Sequence, residues 1–212
     1  MKTKTLLFLL LHLFVISGCI PIAKVIVGAH APRQEKVEFI RQFAQRKGIQ
    51  IDGTAMIAED SILYSFVKRL NEAVVFDKNG YQILYNQNFS NPACGGNIGN
   101  FLTGLDTITY ATRDSGNTIQ KEAGMWVKFG SKEAYDVGFN PSKYDYYVAY
   151  YWNTFSGNPN HRDAIKNLQQ AIDLNKRITV KLILVNQDIR DGIDEQKFVQ
   201  TARRYGMDAE VK

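Results

Sequence analysis

Cysteine is scarce in this chain of 212 residues, which contains only Cys19 and Cys94. No Cys-x-x-Cys motif occurs, so dithiol exchange within a single loop is excluded on chemical grounds. Few cysteines are no obstacle to folding here, because a chain of this length buries a sizeable core without disulfides.

Histidine is also scarce, with three residues in the whole chain. Only His30 and His161 lie beyond the first 18 residues, and neither belongs to a spaced cluster with Cys or Glu. No Gly-x-Ser-x-Gly motif occurs, and the paired acids at 59–60 and 194–195 stand at predicted helix starts, where carboxylates stabilise the helix dipole. We therefore predict no metal site and no cofactor.

A strong basic excess is missing as well. The formal net charge is +5 and would be +3 without Lys2 and Lys4, and the basic residues are scattered among acidic ones. Because nucleic-acid binding requires a concentrated basic surface, we expect no nucleic-acid partner.

The N-terminus has the pattern of an export signal. Lys2 and Lys4 precede an almost wholly apolar run over 6–15, which is too short to span a bilayer as a helix, and residues 16–19 read Ile-Ser-Gly-Cys. This segment resembles the bacterial lipoprotein signal, in which the cysteine is acylated. An ordinary secretory signal and an uncleaved anchor are the alternatives, and each also places the following residues outside the cytoplasm.

The resemblance implies three parts: a signal peptide over 1–18, a tether over 19–30 and a single domain over 31–212. Cys19 would carry the lipid, palmitate or similar acyl chains, and anchor the protein to a bacterial membrane on its periplasmic or outer side. Cys94 would then have no partner for an intramolecular disulfide.

Residue patterns predict several helices and strands before residue 144. Apolar residues at helical spacing predict a helix over 37–44 that ends before Gly48, and a second helix is expected over 61–70. Residues 73–76 and 81–85, joined by Asp-Lys-Asn-Gly, predict a β-hairpin. Further on we expect a helix over 98–105 and strands over 107–111 and 123–129, with a turn at Gly116 and Asn117.

The last third of the chain alternates strands and helices. We expect a strand over 144–152, a turn over 154–159, a helix capped by Asn160, a strand over 178–185 and a helix over 194–205. This order predicts a βαβ unit with parallel strands and hence an α/β fold.

The same region resembles thioredoxin-like proteins. Residues 148–159 look like the family's first strand and active-site loop, with Trp152, Thr154, Phe155 and Gly157 fitting the pattern, and the likeness extends over 144–205. The hairpin at 73–85 resembles the family's other half, but in this chain it comes first. The resemblance implies a three-layer α/β fold with a central mixed sheet, in a chain that is either permuted or elaborated, unless the hairpin match is accidental.

The loop lacks the family's chemistry. Ser156 and Pro159 stand where the two redox cysteines would be, and a serine hydroxyl cannot cycle between thiol and disulfide. Two interpretations stay open: a structural turn, or a binding loop in which Ser156, Asn158 and His161, beside Trp152, gather at a helix start that favours anions.

Cys94 lies in a Gly-rich segment before a predicted helix. It is either an inert buried thiol or a reactive one, serving mixed-disulfide exchange or a one-cysteine peroxidase. The expected function is a lipid-anchored binding or accessory module of the cell envelope, whose partner is an envelope protein or peptide. The alternative is a thiol-dependent enzyme that uses Cys94.

Aromatic residues crowd the strand at 144–152. Strand alternation places Tyr144, Tyr146, Tyr150 and Trp152 on one face, and Tyr147 and Tyr151 on the other. We expect them to pack on both faces of a sheet, and a carbohydrate or peptide platform is the alternative.

Overall fold

The computed structural model describes residues 33–69, 73–84, 112–156, 158–191, 194, 196, 199 and 200. The strands are β1 (Gln34–Glu35), β2 (Ala55–Ile57), β3 (Ala73–Asp77), β4 (Tyr81–Leu84), β5 (Thr112–Thr118), β6 (Trp126–Lys128), β7 (Tyr146–Trp152), β8 (Val180–Asn186) and β9 (Ile189–Arg190). The helices are α1 (Val37–Arg46), α2 (Ile62–Arg69), α3 (Ile119–Ala123) and α4 (Asn158–Leu174), and a 3-10 turn (Glu59–Ser61) precedes α2.

Seven strands form one mixed sheet in the order β5-β4-β3-β7-β8-β2-β6. Strands β7, β8 and β2 are mutually parallel, whereas β3, β4 and β5 alternate in direction and β6 runs antiparallel to β2. A separate short sheet pairs β1 with β9 in parallel. The predicted βαβ unit, β7-α4-β8, is therefore confirmed at the middle of the sheet.

Helices pack on both faces of this sheet. On one face, Trp152 and its alternate neighbours on β7 share a hydrophobic cluster with Ile40 of α1 and Leu168 of α4. On the other, Tyr147 and Tyr151 share a cluster with residues of α2 and α3. The architecture is thus α/β with a mixed central sheet between two helical layers, and the prediction that the strand's aromatic residues pack on both faces is confirmed.

The hairpin forms because its turn residues suit it. Gly80 has a φ of 86°, a conformation that glycine adopts without strain. The Asp77 carboxylate closes the turn by accepting hydrogen bonds from the backbone N–H groups of Asn79 at 2.9 Å and Tyr81 at 3.0 Å. The helices predicted over 37–44 and 61–70 are also present, as α1 and α2.

Four local predictions are wrong in whole or in part. Gly116 and Asn117 lie inside β5 rather than in a turn; β5 pairs irregularly with β4, with a register shift between Tyr81 and Gln82 that accommodates polar and glycine residues. Asn160 is not the N-cap, because α4 begins at Asn158. Pro159 fits within the first helical turn, where no N–H is needed.

The predicted face of Tyr144 is also wrong. It precedes β7, and its ring packs edge-on against Tyr147 with centroids 5.6 Å apart, so it joins the face opposite to the predicted one. Helix α3 over 119–123 occupies the beginning of the strand predicted over 123–129, of which only 126–128 is observed. The elements predicted over 98–105 and 107–111, and most of the one over 194–205, lie outside the described residues.

Candidate functional site at the carboxyl ends of the parallel strands

The loops that follow β7 and β8 lie side by side. Trp152, the last residue of β7, is in register with Asn186, the last residue of β8. The chain leaves β7 through 153–156 and leaves β8 through Gln187 and Asp188. In open α/β sheets, ligands bind in the crevice beyond the carboxyl ends of such strands, which makes this edge the candidate site.

The Asp188 carboxylate holds the two loops together. The backbone N–H of Thr154 donates to Oδ1 at 2.9 Å and to Oδ2 at 3.1 Å, and the Thr154 hydroxyl donates to Oδ1 at 2.8 Å. The side-chain amide of Asn186 donates to Oδ2 at 2.8 Å, and its oxygen accepts from the Asp188 N–H at 3.1 Å. The loop after β7 is thereby fixed against the end of β8.

Asp188 is also a deeply buried acid with a raised pKa. Only 2% of it is exposed, and this burial raises the pKa of its carboxyl to about 6. The hydrogen bonds from Asn186 and Thr154 oppose that rise in pKa, whereas the negative charge of Glu35 adds to it. Buried acids with shifted pKa values are common at functional sites as well as in structural networks.

The residues predicted to form a binding loop lie in different surroundings. Trp152 is completely buried and stacks on Phe43 of α1, with ring centroids 6.5 Å apart, so its ring belongs to the core. Among the described residues its indole N–H finds no hydrogen-bond acceptor. Ser156 is half-buried, and its backbone N–H donates to the side-chain oxygen of Asn153 at 2.9 Å.

The remaining predicted site residues can be placed only in part. Asn158 is the first residue of α4 and His161 lies in its first turn, but their side chains are outside the described residues, as are Cys19 and Cys94 entirely. Whether Ser156, Asn158 and His161 gather around one point therefore stays a prediction.

A buried polar network continues from this edge beneath the sheet. Gln187 donates through its side-chain amide to the Ser65 hydroxyl at 2.7 Å and to the Arg69 carbonyl at 3.0 Å, both on α2. The Arg69 guanidinium lies 2.9 Å from the Glu122 carboxylate of α3, which also accepts from the Tyr151 hydroxyl at 2.5 Å. Burial, followed by the adjacent Glu122 charge, raises the pKa of Tyr151 well above its usual value.

Residues 186–188 were not among the site residues predicted from the sequence. Their tertiary partners Thr154 and Ser65 are 34 and 122 residues away, so the pattern alone did not reveal the cluster. The available signal was an acid and two amides at the carboxyl end of an apolar parallel strand, where the edge of the sheet concentrates polar groups.

A shallow groove lies elsewhere on the α1 and α4 face. It has a volume of about 540 Å³, with a floor of aliphatic side chains that includes Ile49, Leu182 and Leu184. Lys47 and Lys166 also line it. Its lining comes from the segment after α1, from the middle of β8 and from α4 beyond the first turn, so the groove is a surface separate from the strand-end loops.

In the part of the chain that the structure describes, no helix has both the length and the apolar character needed to cross a bilayer. The same part contains no group of three or more His, Cys, Asp or Glu that could hold a metal ion.

No protein-family model, curated protein or solved structure matches the chain. The fold and the site define the class of protein: an α/β protein with a mixed seven-stranded sheet and a polar cluster at the ends of its parallel strands.

Proposed function

We propose that this protein is an exported, lipid-anchored binding or accessory module of the bacterial cell envelope, with a thioredoxin-like fold that has lost dithiol chemistry. Cys19 is the lipid-attachment residue in this proposal, and the following domain faces the periplasm or the exterior. The partner is an envelope protein or peptide that contacts the loop after β7.

The observation that carries the proposal is the sheet order β4-β3-β7-β8. The hairpin resembling one half of the thioredoxin-like fold lies directly beside the βαβ unit resembling the other half, with β3 antiparallel to β7 over five residue pairs. A permuted chain requires this adjacency, because chain order changes while spatial neighbours are kept. The order therefore supports permutation over an accidental hairpin match.

The loop itself supports recognition rather than redox catalysis. Ser156 occupies the position of the first redox cysteine, and its backbone is held through Asn153 while Thr154 is held by Asp188. A fixed loop costs less conformational entropy when a partner binds, which favours its use as a recognition surface.

Lipid anchoring is tested by labelling growing bacterial cells with an alkyne analogue of palmitate. The full chain should incorporate the label and sediment with membranes, and Cys19→Ser should do neither, because the acyl chains supply the membrane affinity. Cys94→Ser is the matched control and should behave like the unchanged protein. Labelling that persists in Cys19→Ser would refute the anchoring proposal.

Recognition through the loop is tested by photo-crosslinking in cells, with benzoylphenylalanine placed at Ser156 or, as a control, at Lys166, which lines the separate groove. We expect a discrete adduct from position 156 alone. Once that partner is purified, Ser156→Trp should weaken its binding at least about tenfold, equivalent to about 1.4 kcal/mol, and Lys166→Trp should not. Adducts from position 166 alone, or from neither position, contradict the proposal.

A further inference from the structure

The groove on the α1 and α4 face has side chains of a central strand as its floor. β8 lies between β7 and β2 in the sheet, but β2 pairs with only its last two residues. Over 180–184, β8 is paired with β7 alone among the described strands. Leu182 and Leu184 face the α1 and α4 layer and are only half-buried, whereas Ile183, on the opposite face, is 1% exposed. The groove is therefore an uncovered part of the apolar surface of the sheet, between α4 and the segment after α1.

The charge of this groove is positive. Lys47, directly after α1, and Lys166 of α4 are the only ionisable side chains among the described residues that line it. The Lys47 ammonium lies 5.7 Å from the ring centroid of Phe43. In the described part of the chain, no carboxylate forms an ion pair with either lysine. An apolar floor beside two unpaired cations is complementary to a molecule with an apolar body and a negative charge.

The groove offers few neutral hydrogen-bonding side chains. Among its described lining residues these are Gln50 and Gln169, and Gln169 already donates to Asp173 at 2.9 Å. An extended peptide would bring a backbone N–H and C=O with each residue, and these groups need partners when they are removed from water. An acyl chain needs none. The volume of about 540 Å³ lies in the lower half of the range for small-molecule sites, which suits one acyl chain rather than the two of a phospholipid.

We propose that this groove binds a long-chain fatty acid, whose acyl chain covers the half-buried leucines of β8 and whose carboxylate is held by Lys47 and Lys166. Removal of apolar surface from water supplies the affinity, and the lysines give the preference for an anionic head. The site is separate from the loop after β7. The inference depends neither on the partner of that loop nor on the lipid anchor.

The test uses the full chain with Cys19→Ser, so that no acyl chain is attached at that position, in phosphatidylcholine nanodiscs. The probe is palmitic acid with a diazirine in its chain, at about pH 9, where the probe is ionised and lysine keeps its charge. We expect light-dependent adducts within 47–50, 165–169 or 182–184, mapped by mass spectrometry of peptides. The corresponding alcohol, at equal concentration in the nanodiscs, should give at least about fivefold fewer adducts there, because it lacks the charge.

Two double variants test the role of charge. Lys47→Glu with Lys166→Glu reverses both charges of the groove and should lower labelling by the acid at least about fivefold. Lys68→Glu with Lys78→Glu makes the same change in net charge at exposed positions on α2 and in the hairpin turn, and should leave labelling unchanged. Equal labelling of the two double variants would contradict a carboxylate site at these lysines.

A second pair of variants tests the groove itself. Gln169→Trp places a bulky side chain in the lining and should reduce labelling there, whereas Gln170→Trp, at an exposed position outside the lining, should not. The fatty-acid site is refuted if adducts form only outside the groove, or if the alcohol labels it as well as the acid does. Loss of labelling in nanodiscs that contain phosphatidylglycerol would also overturn it, because a phospholipid would then be the preferred ligand.

Discussion

The carboxylate of Asp188 shows two opposed effects acting on one side chain. Removal from water disfavours its charge, while the donors of Thr154 and Asn186 favour it, and the resulting pKa of about 6 shows that burial dominates. The Glu122 carboxylate, also buried, has instead a full cationic partner in Arg69 at 2.9 Å. Two acids of similar burial are thus accommodated in different ways: Glu122 has a cationic partner, whereas Asp188 is held by neutral hydrogen-bond donors and has a raised pKa.

The first prediction concerns the pH dependence of stability. Because the pKa of Asp188 is raised from 3.8 to about 6 on folding, the folded state binds a proton between about pH 4 and pH 6 that the unfolded state has released. The free energy of unfolding should therefore decrease as pH rises through this window, by up to about 3 kcal/mol from this group.

Chemical denaturation of the full chain in micelles at several pH values measures this slope. The decrease attributable to Asp188 should be missing in Asp188→Asn, so the stability difference between the two proteins should change across the window and stay constant above about pH 7. Parallel curves for the two proteins would show that Asp188 has an ordinary pKa.

At the scale of elements, the β3–β4 hairpin depends on its turn and on its contacts with α3. Gly80, at the end of the turn, accepts through its carbonyl a hydrogen bond from the N–H of Ile119 at 2.8 Å, which connects the hairpin to α3. A Cβ atom at Gly80 would lie 3.1 Å from Ile119 Cγ2 and 3.1 Å from Gln120 Oε1. Glycine is therefore required here both for its φ of 86° and for space.

The second prediction compares two glycines with positive φ. Gly48, after α1, has a φ of 67° and open space around its Cα, so Gly48→Ala should cost only the backbone strain, about 1 kcal/mol. Gly80→Ala adds the clash with the completely buried Ile119 and should cost at least about 1 kcal/mol more. Denaturant unfolding of both variants measures the difference, and equal losses would mean that the hairpin shifts freely away from α3.

At the scale of the molecule, one sheet separates two hydrophobic cores, and β7 contributes to both. Val148, Tyr150 and Trp152 pack toward α1 and α4, and Tyr147, Ala149 and Tyr151 pack toward α2 and α3. Helix α4 covers its face through Leu168, which is completely buried. The position of the loop before α4 therefore depends on how well that helix is packed.

The third prediction uses two leucines of α4. Leu168→Ala should lower the free energy of unfolding by about 2 to 5 kcal/mol, because it leaves a cavity in the core. Leu174 is 75% exposed, so Leu174→Ala, which has the same side-chain change, should shift stability by less than about 0.5 kcal/mol. A similar loss in both variants would indicate that helix propensity rather than burial holds α4 in place.

Local residue patterns correctly predicted the helices and strands that local sequence features specify. The hairpin follows from Asp-Lys-Asn-Gly between two apolar runs, α1 from its apolar spacing, and β7 from a run of aromatic residues, and all three are observed. The region over 112–128 was predicted poorly because its polar strand β5 is stabilised by pairing with β4 and not by its own composition. An intrinsic turn signal at Gly116 was overridden by that pairing.

The sequence by itself determined the α/β class, the parallel β7-α4-β8 unit and the absence of a dithiol at Ser156, because periodicity and side-chain chemistry are properties of residue order. Only the tertiary structure decided that β3 lies beside β7, that Trp152 belongs to the core, and that Asp188 meets Thr154. Those facts depend on burial and on partners many residues apart, and desolvation of a carboxylate exists only once the chain has folded around it.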